Sequence, residues 1–192
     1  MRTLLALLLC IAAVNLHAQN KEIRTQVEYH DNLTQVKVKF EYYFDFWSEQ
    51  NVKHGRYSWW NKKGKLLIDC TYLDGLMHGT YIEYFPNGNI KQEVQYSKGK
   101  KNGKANTYSK QGFKISELSY ADDRLSGICR FFFNDGSIKE EITYQDGIKD
   151  GPAFFYDKSG NLKKQKVFQS GREVPSGNAS SQNQKGETKA DS

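Results

Sequence analysis

Short apolar runs alternate with glycine-bearing polar segments along most of the chain. The runs are six to eight residues long and rich in Tyr, Phe, Ile and Val, as in "TYIEYF" and "NIKQEVQY". This is the usual length of β-strands, and the loops between the runs recur too often for helices. The pattern predicts a succession of strands joined by tight turns.

The pattern repeats every 24 residues. With Gly55 taken as offset zero, glycine occupies offsets zero and nine of five successive units: Gly55, Gly64, Gly79, Gly88, Gly103, Gly112, Gly127, Gly136, Gly151 and Gly160. Offsets five and seventeen are always aromatic: Trp60, Tyr84, Tyr108, Phe132 and Tyr156, then Tyr72, Tyr96, Tyr120, Tyr144 and Phe168. Five units without an insertion predict a repeat protein in which each unit is a strand, a turn, a strand and a turn.

The first turn of each unit sets the expected register. Offsets seven to nine, such as Pro86-Asn87-Gly88, predict a three-residue loop with its glycine in the left-handed conformation. Offset five should then face offset eleven, three should face thirteen, and one should face fifteen. Odd offsets would share an apolar face that holds both aromatic rows and two aliphatic rows. The aliphatic rows are Leu66, Ile90, Ile138 and Leu162 at offset eleven, and Cys70, Val94, Leu118 and Ile142 at offset fifteen.

The same register predicts that the opposite face of the sheet is polar and exposed to solvent. It should carry an acidic row (Asp69, Glu93, Glu117 and Glu141) and a lysine row (Lys91, Lys139 and Lys163). Five aromatic residues would interrupt it, Tyr57, Trp59 and Tyr81 in the first units and Phe131 and Phe155 in the last. Aromatic residues on a polar face suggest a binding surface for a partner or for sugar rings. Cross-strand packing, or cover by the N-terminal strands, remains the alternative.

These observations predict an all-β fold, an open and twisted antiparallel meander of five hairpin repeats. Residues 55–174 hold the repeats. Residues 20–54 should form a capping hairpin, because "TQVEYH" and "TQVKVKFEYYFDF" are strand-like and terminal repeats are usually atypical. Residues 175–192 contain no large apolar side chain, and we expect a disordered tail.

Residues 1–19 have the pattern of a secretory signal peptide. Arg2 precedes an apolar run over residues 4–14, and small residues lie near Ala18. The run is too short to span a bilayer. Lipid attachment at Cys10 is the weaker interpretation, because Leu9 is bulky. The sequence therefore predicts export to the periplasm, the cell envelope or the exterior. Cleavage would remove Arg2 and no acidic residue, so the net charge would fall from +6 to +5. The sequence contains no polybasic cluster of the kind that indicates nucleic-acid binding.

The repeated "NG" turn, the strand ending in Tyr and the "DGxxxG" segment resemble the bacterial MORN-repeat variant (membrane occupation and recognition nexus). The resemblance rests on "YLDGLMHGTYIEYFPNGNIKQEVQYSKGKKNG" and "YQDGIKDGPAFFYDKSGNL" and covers roughly residues 54–174. It implies an elongated, twisted antiparallel sheet. Bacterial relatives are often labelled antitoxin-like, and eukaryotic ones are linked to membranes and scaffolding. The third unit departs most, with Asp123 in place of a glycine at offset twenty and Lys114 in place of an aliphatic residue.

Few residues suggest chemistry. His54 and His78 share the offset before the repeat glycine, where Asn102, Ser126 and Asp150 also occur, so a turn-capping role is favoured over metal binding. The acidic row lacks any feature that would set one carboxyl apart from another, so catalysis is disfavoured. Cys70 and Cys129 should lie too far apart for a disulfide. We expect Cys70 to be a small buried residue and Cys129 to be a partly exposed thiol.

The sequence thus predicts a non-enzymatic, exported binding or scaffold module of the cell envelope. No catalytic residue, metal site or cofactor is indicated. The expected partner is a protein. Adhesion to an anionic membrane or glycan surface is the alternative, and toxin neutralisation is a third hypothesis that rests on the family resemblance.

Overall fold

The computed structural model describes residues 21–31 and 34–175, which contain fifteen β-strands and no helix. The strands are β1 Arg24–Tyr29, β2 Val36–Asp45, β3 Gln50–Trp60, β4 Leu66–Leu73, β5 Leu76–Met77, β6 Gly79–Tyr84, β7 Ile90–Ser97, β8 Lys100–Tyr108, β9 Lys114–Ala121, β10 Arg124–Leu125, β11 Gly127–Phe132, β12 Ile138–Gln145, β13 Ile148–Tyr156, β14 Leu162–Gln169 and β15 Arg172–Val174. No helix that could cross a membrane occurs in this part of the chain. The predicted signal peptide and residues 176–192 of the predicted tail lie outside the described residues.

All the strands belong to one open antiparallel sheet. Its order follows the chain from β1 to β15, except that the two-residue strands β5 and β10 pair only with β4 and β9. Both ends of the sheet are open, since β1 pairs with β2 and β15 with β14. The predicted all-β meander of hairpins is confirmed.

The first turn of each repeat has the predicted form. In the second repeat the Phe85 amide donates to the Asn89 carbonyl at 2.8 Å, and the Gly88 amide donates to the Phe85 carbonyl at 2.9 Å. Gly88 has a φ of 94°, a conformation that glycine adopts without steric cost. Tyr84 lies opposite Ile90, as expected for offsets five and eleven.

The second turn of each repeat is a two-residue hairpin. Asp74 and Gly75 both have positive φ, which is typical of a type I′ turn. The Gly75 amide donates to the Lys53 carbonyl at 2.8 Å, so the turn is bonded to the strand before it. The same bond recurs in every later repeat, and in the third unit Asp123 supplies the amide with a φ of 68°. These bonds join neighbouring repeats at the ends of the strands where the second turns lie.

The predicted register fails beyond the first pair of each hairpin. Next to the Tyr84–Ile90 pair, Glu83 lies opposite Gln92, so no residue of β6 lies opposite Lys91 in the strand pairing. This irregularity is a β-bulge, which inserts one residue into one strand of the pair. Offset three therefore faces fourteen and offset two faces fifteen, where the sequence predicted thirteen for three and fifteen for one. All five repeats contain the bulge.

The bulge changes which residues share a face. We call the face that carries offsets two, four, thirteen, fifteen and seventeen the core face, and the face that carries offsets one, three, five, eleven and fourteen the acidic face. The two aromatic rows were predicted to lie together, but the row at offset seventeen is on the core face and the row at offset five is on the acidic face. The aliphatic residues at offset eleven, such as Ile90, also lie on the acidic face, because they pair with offset five.

The core face holds every buried apolar side chain among the described residues. These residues are mostly small: Val38, Cys70, Val94, Ala105, Cys129, Ile142 and Ala153. They are arranged in cross-strand pairs, for example Val94 with Ala105 and Cys129 with Ile142. Cys129 has 0% of its surface exposed, so the prediction of a partly exposed thiol is wrong. The bulge turns Cys129 towards the core face, where a small residue fits.

Candidate functional site

The core face contains all five aromatic residues that the sequence singled out. Tyr57 and Tyr81 occupy offset two, and Trp59, Phe131 and Phe155 occupy offset four, so these side chains alternate onto one side of their strands. The sequence predicted that they share a face with the acidic row, and that prediction is wrong. The candidate surface therefore belongs to the apolar side of the sheet.

Tyr57, Trp59 and Tyr81 form the first aromatic cluster, on the neighbouring strands β3 to β6. The Tyr57 ring lies 5.9 Å from the Tyr72 ring and 6.2 Å from the Phe40 ring. The Tyr81 ring lies 6.2 Å from the Tyr96 ring. Burial is the main cause that raises the pKa of Tyr81 to about 12. Cross-strand packing is therefore present, yet all three candidate side chains remain partly exposed.

Phe131 and Phe155 form a second, separate cluster at the far end of the sheet. Both lie opposite Glu140, one on each side of strand β12. Six strand spacings separate β3 from β11, which is about 29 Å at the usual distance between strands. The third repeat, between the clusters, carries Ala105 and Thr107 at the equivalent positions. At offsets two and four the core face thus has two aromatic clusters with smaller side chains between them, while the aromatic row at offset seventeen continues across the gap with Tyr120.

Lysine side chains lie against aromatic rings along one margin of the core face. The Lys53 Nζ is 4.7 Å from the centre of the Tyr57 ring and 5.1 Å from that of Tyr72. Lys101 lies 5.1 Å from the Tyr120 ring, and Lys149 lies 5.2 Å from the Phe168 ring. These lysines recur in every second repeat, four strands apart, which is about 19 Å. A cation over the face of an aromatic ring is attracted by the ring, so each lysine places a positive charge beside an aromatic side chain on this margin.

The acidic row forms ion pairs on the opposite face. Glu117 accepts hydrogen bonds from Lys104 at 2.9 Å, Lys114 at 3.2 Å and Arg130 at 3.4 Å. The hydrogen bond from Lys104 is the main cause that lowers the pKa of Glu117. Asp69 accepts two bonds from Arg56, each at 2.9 Å. These cations come from offsets one, three and eleven. The lysine row that the sequence predicted on this face forms its ion pairs with other acids, namely Glu83, Glu140 and Asp157.

The two histidines lie at turns. The His54 Nδ1 is 3.0 Å from Asp74 Oδ1 and 3.3 Å from the Asp74 amide nitrogen, in the turn of the next hairpin. The His78 amide donates to the Thr71 carbonyl at 2.9 Å. The His54 side-chain contacts fit the predicted turn-capping role, whereas the His78 bond is made by its backbone and does not test a role for its side chain. Within residues 21–31 and 34–175, no group of three or more His, Cys, Asp or Glu could hold a metal ion.

Sequence reasoning missed the exposed turn between β2 and β3. Phe46 is 80% exposed and Trp47 is 85% exposed, the highest values among the large apolar residues described. Asp45 holds the turn, because its carboxylate accepts the Trp47 amide at 3.1 Å and the Ser48 hydroxyl at 2.6 Å. The sequence placed Phe46 inside a strand, since "YYFDFW" is an uninterrupted strand-like run. Only the end of β2 at Asp45 shows that the next two aromatic residues project.

The fold and this surface define a class of protein, an open sheet of repeated hairpins with an aromatic and lysine-bearing face. Four segments of the chain match the family model described as MORN repeat variant: residues 53–74, 77–98, 125–146 and 149–170. Together they cover a little under half of the chain. The match supports a MORN-repeat family. The one unit left unmatched is the third, the unit in which Asp123 and Lys114 depart from the pattern.

A search of curated proteins found no match. Among the solved structures similar to this chain is the "Glycosylation Associate Protein (Gap123) complex from Streptococcus agalactiae". The identity is 13% and the TM-score is 0.34, with 60% of this chain and 21% of the other chain covered. The present chain therefore spans about a fifth of that chain, and a TM-score this low supports no argument about fold or function.

Proposed function

We propose that this protein is an exported, non-enzymatic module of the cell envelope that binds a partner protein through its core face. One observation carries the proposal: the partly exposed aromatic clusters lie on the same face as the buried residues of the sheet. Within the described part of the chain the sheet is a single layer, so no second layer of strands or helices covers this face. Tyr and Trp are enriched where proteins bind one another.

The envelope location rests on the predicted signal peptide, and the binding role rests on the repeat family and on the geometry of the face. A scaffold role would follow from the same surface, because two clusters about 29 Å apart can contact two parts of one partner or two partners. Toxin neutralisation would be one form of this binding, and it predicts a tight one-to-one complex with a toxic protein.

Two pairs of variants test whether the core face binds. Trp59→Ala with Tyr81→Ala removes aromatic side chains from the core face. Trp60→Ala with Tyr84→Ala removes the same residue types, in the same repeats, from the acidic face. The wild-type protein and both double variants would be used to capture partners from the envelope fraction. Each captured partner would then be purified, and the affinity of the wild-type protein and of each variant for it would be measured. We expect the core-face pair to weaken binding at least about tenfold, as loss of central aromatic residues does. Equal weakening by both pairs, with folding intact by circular dichroism, would contradict the proposal.

The lysine margin supports a second candidate, adhesion to an anionic glycan or membrane surface. Lys53, Lys101 and Lys149 would contact anionic groups while the adjacent rings stack on sugars or lipid. Retention on a sulfated glycan column and binding to anionic vesicles would test it. The triple change of these lysines to Gln should abolish both, and added salt should weaken both in the wild-type protein. Binding that survives high salt and the triple change would exclude this candidate.

A further inference from the structure

The first strand of the sheet has an outer edge that no other described strand occupies. Within the described residues, β1 pairs only with β2, so its outer edge presents backbone N–H and C=O groups without a strand partner. Such an edge is a template on which another strand can pair. Pairing with β2 is regular from Arg24 to Glu28 and becomes irregular only between Glu28 and Tyr29. The regular part is centred on Gln26.

The side chains of β1 match a second copy of the same strand. We propose that two copies of this chain associate by antiparallel pairing of their β1 edges about a two-fold axis at Gln26. Arg24 of each copy then lies opposite Glu28 of the other, so the symmetric contact contains two opposite-charge pairs. On the other side of the strand, Thr25 lies opposite Val27, and Ile23 lies opposite Tyr29. The charged pairs are on the core face, because Arg24 and Glu28 lie opposite Tyr42 and Val38 of β2.

Backbone geometry restricts the alternatives. Backbone groups point alternately to the two edges of a strand, so an isologous antiparallel pair must be centred on a residue rather than between two. A pair centred on Thr25 would place Glu22 opposite Glu28, which repel each other. A pair centred on Val27 would place Arg24 opposite His30. Of these three registers, only the pair centred on Gln26 places Arg24 opposite an acidic residue.

The exposed state of β1 is consistent with such a contact. Ile23, Val27 and Tyr29 are exposed large apolar residues, and pairing would cover part of their surface. Arg24 currently forms an exposed ion pair at 2.8 Å with Glu22, which lies just before β1 in the same chain. An exposed pair of this kind contributes little free energy, so exchanging it for a pair across the dimer costs little. The two-fold axis is perpendicular to the sheet, so the core faces of both copies would lie on the same side and double the proposed binding surface.

Charge reversal tests the proposal by sedimentation velocity over a series of protein concentrations. The wild-type chain should form a concentration-dependent dimer. Arg24→Glu or Glu28→Arg alone should weaken self-association by about tenfold or more, since each dimer loses two opposite-charge pairs and gains two like-charge pairs. The double variant with both changes should dimerise again. An equimolar mixture of the two single variants should form the mixed dimer, because one then carries two acids and the other two cations.

Arg124→Glu, a reversal at an exposed arginine on the distant strand β10, is the matched control and should leave the dimer unchanged. Circular dichroism would establish that every variant is folded. A wild-type chain that stays monomeric at all concentrations would overturn the proposal. So would a dimer that does not respond to the single reversals, or an assembly that grows beyond two copies, which would indicate head-to-tail pairing of β1 with the β14–β15 end.

Discussion

The Tyr108 hydroxyl donates a hydrogen bond to Oε2 of Glu93 at 3.0 Å. The two residues belong to neighbouring repeats, Tyr108 to the aromatic row at offset five and Glu93 to the acidic row at offset fourteen. Tyr156 and Glu141 form the same bond at 3.0 Å two repeats later. Two members of the acidic row are thus bonded to aromatic side chains of the next repeat. These bonds connect repeats through side chains, as the turn amides connect them through the backbone.

The Tyr108–Glu93 bond predicts a loss of stability in alkali. Burial, followed by the bond to Glu93, raises the pKa of Tyr108 from 10.0 to about 12. Because the folded protein holds this proton more tightly than the unfolded chain, the stabilisation is complete below pH 10 and is lost as the pH rises towards 12. Tyr108→Phe should lower the free energy of unfolding by about 1 kcal/mol at neutral pH and make the alkaline loss shallower. Urea unfolding at several pH values measures both, and identical alkaline slopes in the two proteins would contradict the assignment.

The Glu117 network predicts the opposite dependence in acid. Glu117 has a lowered pKa, so its contribution to stability is complete above its ordinary value of 4.5 and is lost as the pH falls through the folded value. Glu117→Gln should cost about 1 kcal/mol at neutral pH, a modest value because Lys104 is about half exposed. The difference from the wild-type protein should shrink in acid. Glu140→Gln, which removes a single pair with Lys139, is the control and should change stability by less than about 0.5 kcal/mol.

Both thiols in the sheet should be unreactive while the protein is folded. Burial raises the pKa of Cys70 to about 11 and also raises the pKa of Cys129. The thiolate is the reactive form, so alkylation at neutral pH should be at least about tenfold slower in the folded than in the unfolded protein. Mass spectrometry of alkylated peptides would give the rate for each cysteine. Thr71→Cys provides the comparison, because residue 71 is exposed next to Cys70. Equal rates for Cys129 and the introduced thiol would show that Cys129 is accessible.

Two glycines with positive φ should differ in their tolerance of a methyl group. Gly103 has a φ of 111°, and a Cβ there would lie 3.1 Å from the Gln95 Cβ, whereas Gly112 has a φ of 92° with nothing within 4 Å. Gly112→Ala should cost about 1–2 kcal/mol from backbone strain alone. Gly103→Ala should cost about 1 kcal/mol or more beyond that, because Gln95 must also move. Thermal unfolding of both variants measures the difference. Equal costs would mean that Gln95 relaxes freely.

Much of the fold could be predicted because it depends on short-range patterns. The recurrence of glycine every 24 residues, as from Gly55 to Gly79, predicted the repeat, and Gly88 predicted the type of the first turn. The order of strand, turn, strand and turn in each unit predicted the second turn. The faces could not be predicted, because they depend on one extra residue at offset twelve. That position holds Leu67, Lys91, Ile115, Lys139 or Lys163, and none of these is a residue type that indicates a bulge. A register change of one residue moves every later side chain to the other face.

The sequence alone determined the number of repeats, their strands and the first turn, because each depends on glycine conformation and on apolar runs within a few residues. The tertiary structure alone decided which rows share a face, why Cys129 is buried and where Phe46 and Trp47 project. Those properties depend on cross-strand pairing, because the bulge sets which residues lie opposite one another and no residue type at offset twelve signals it.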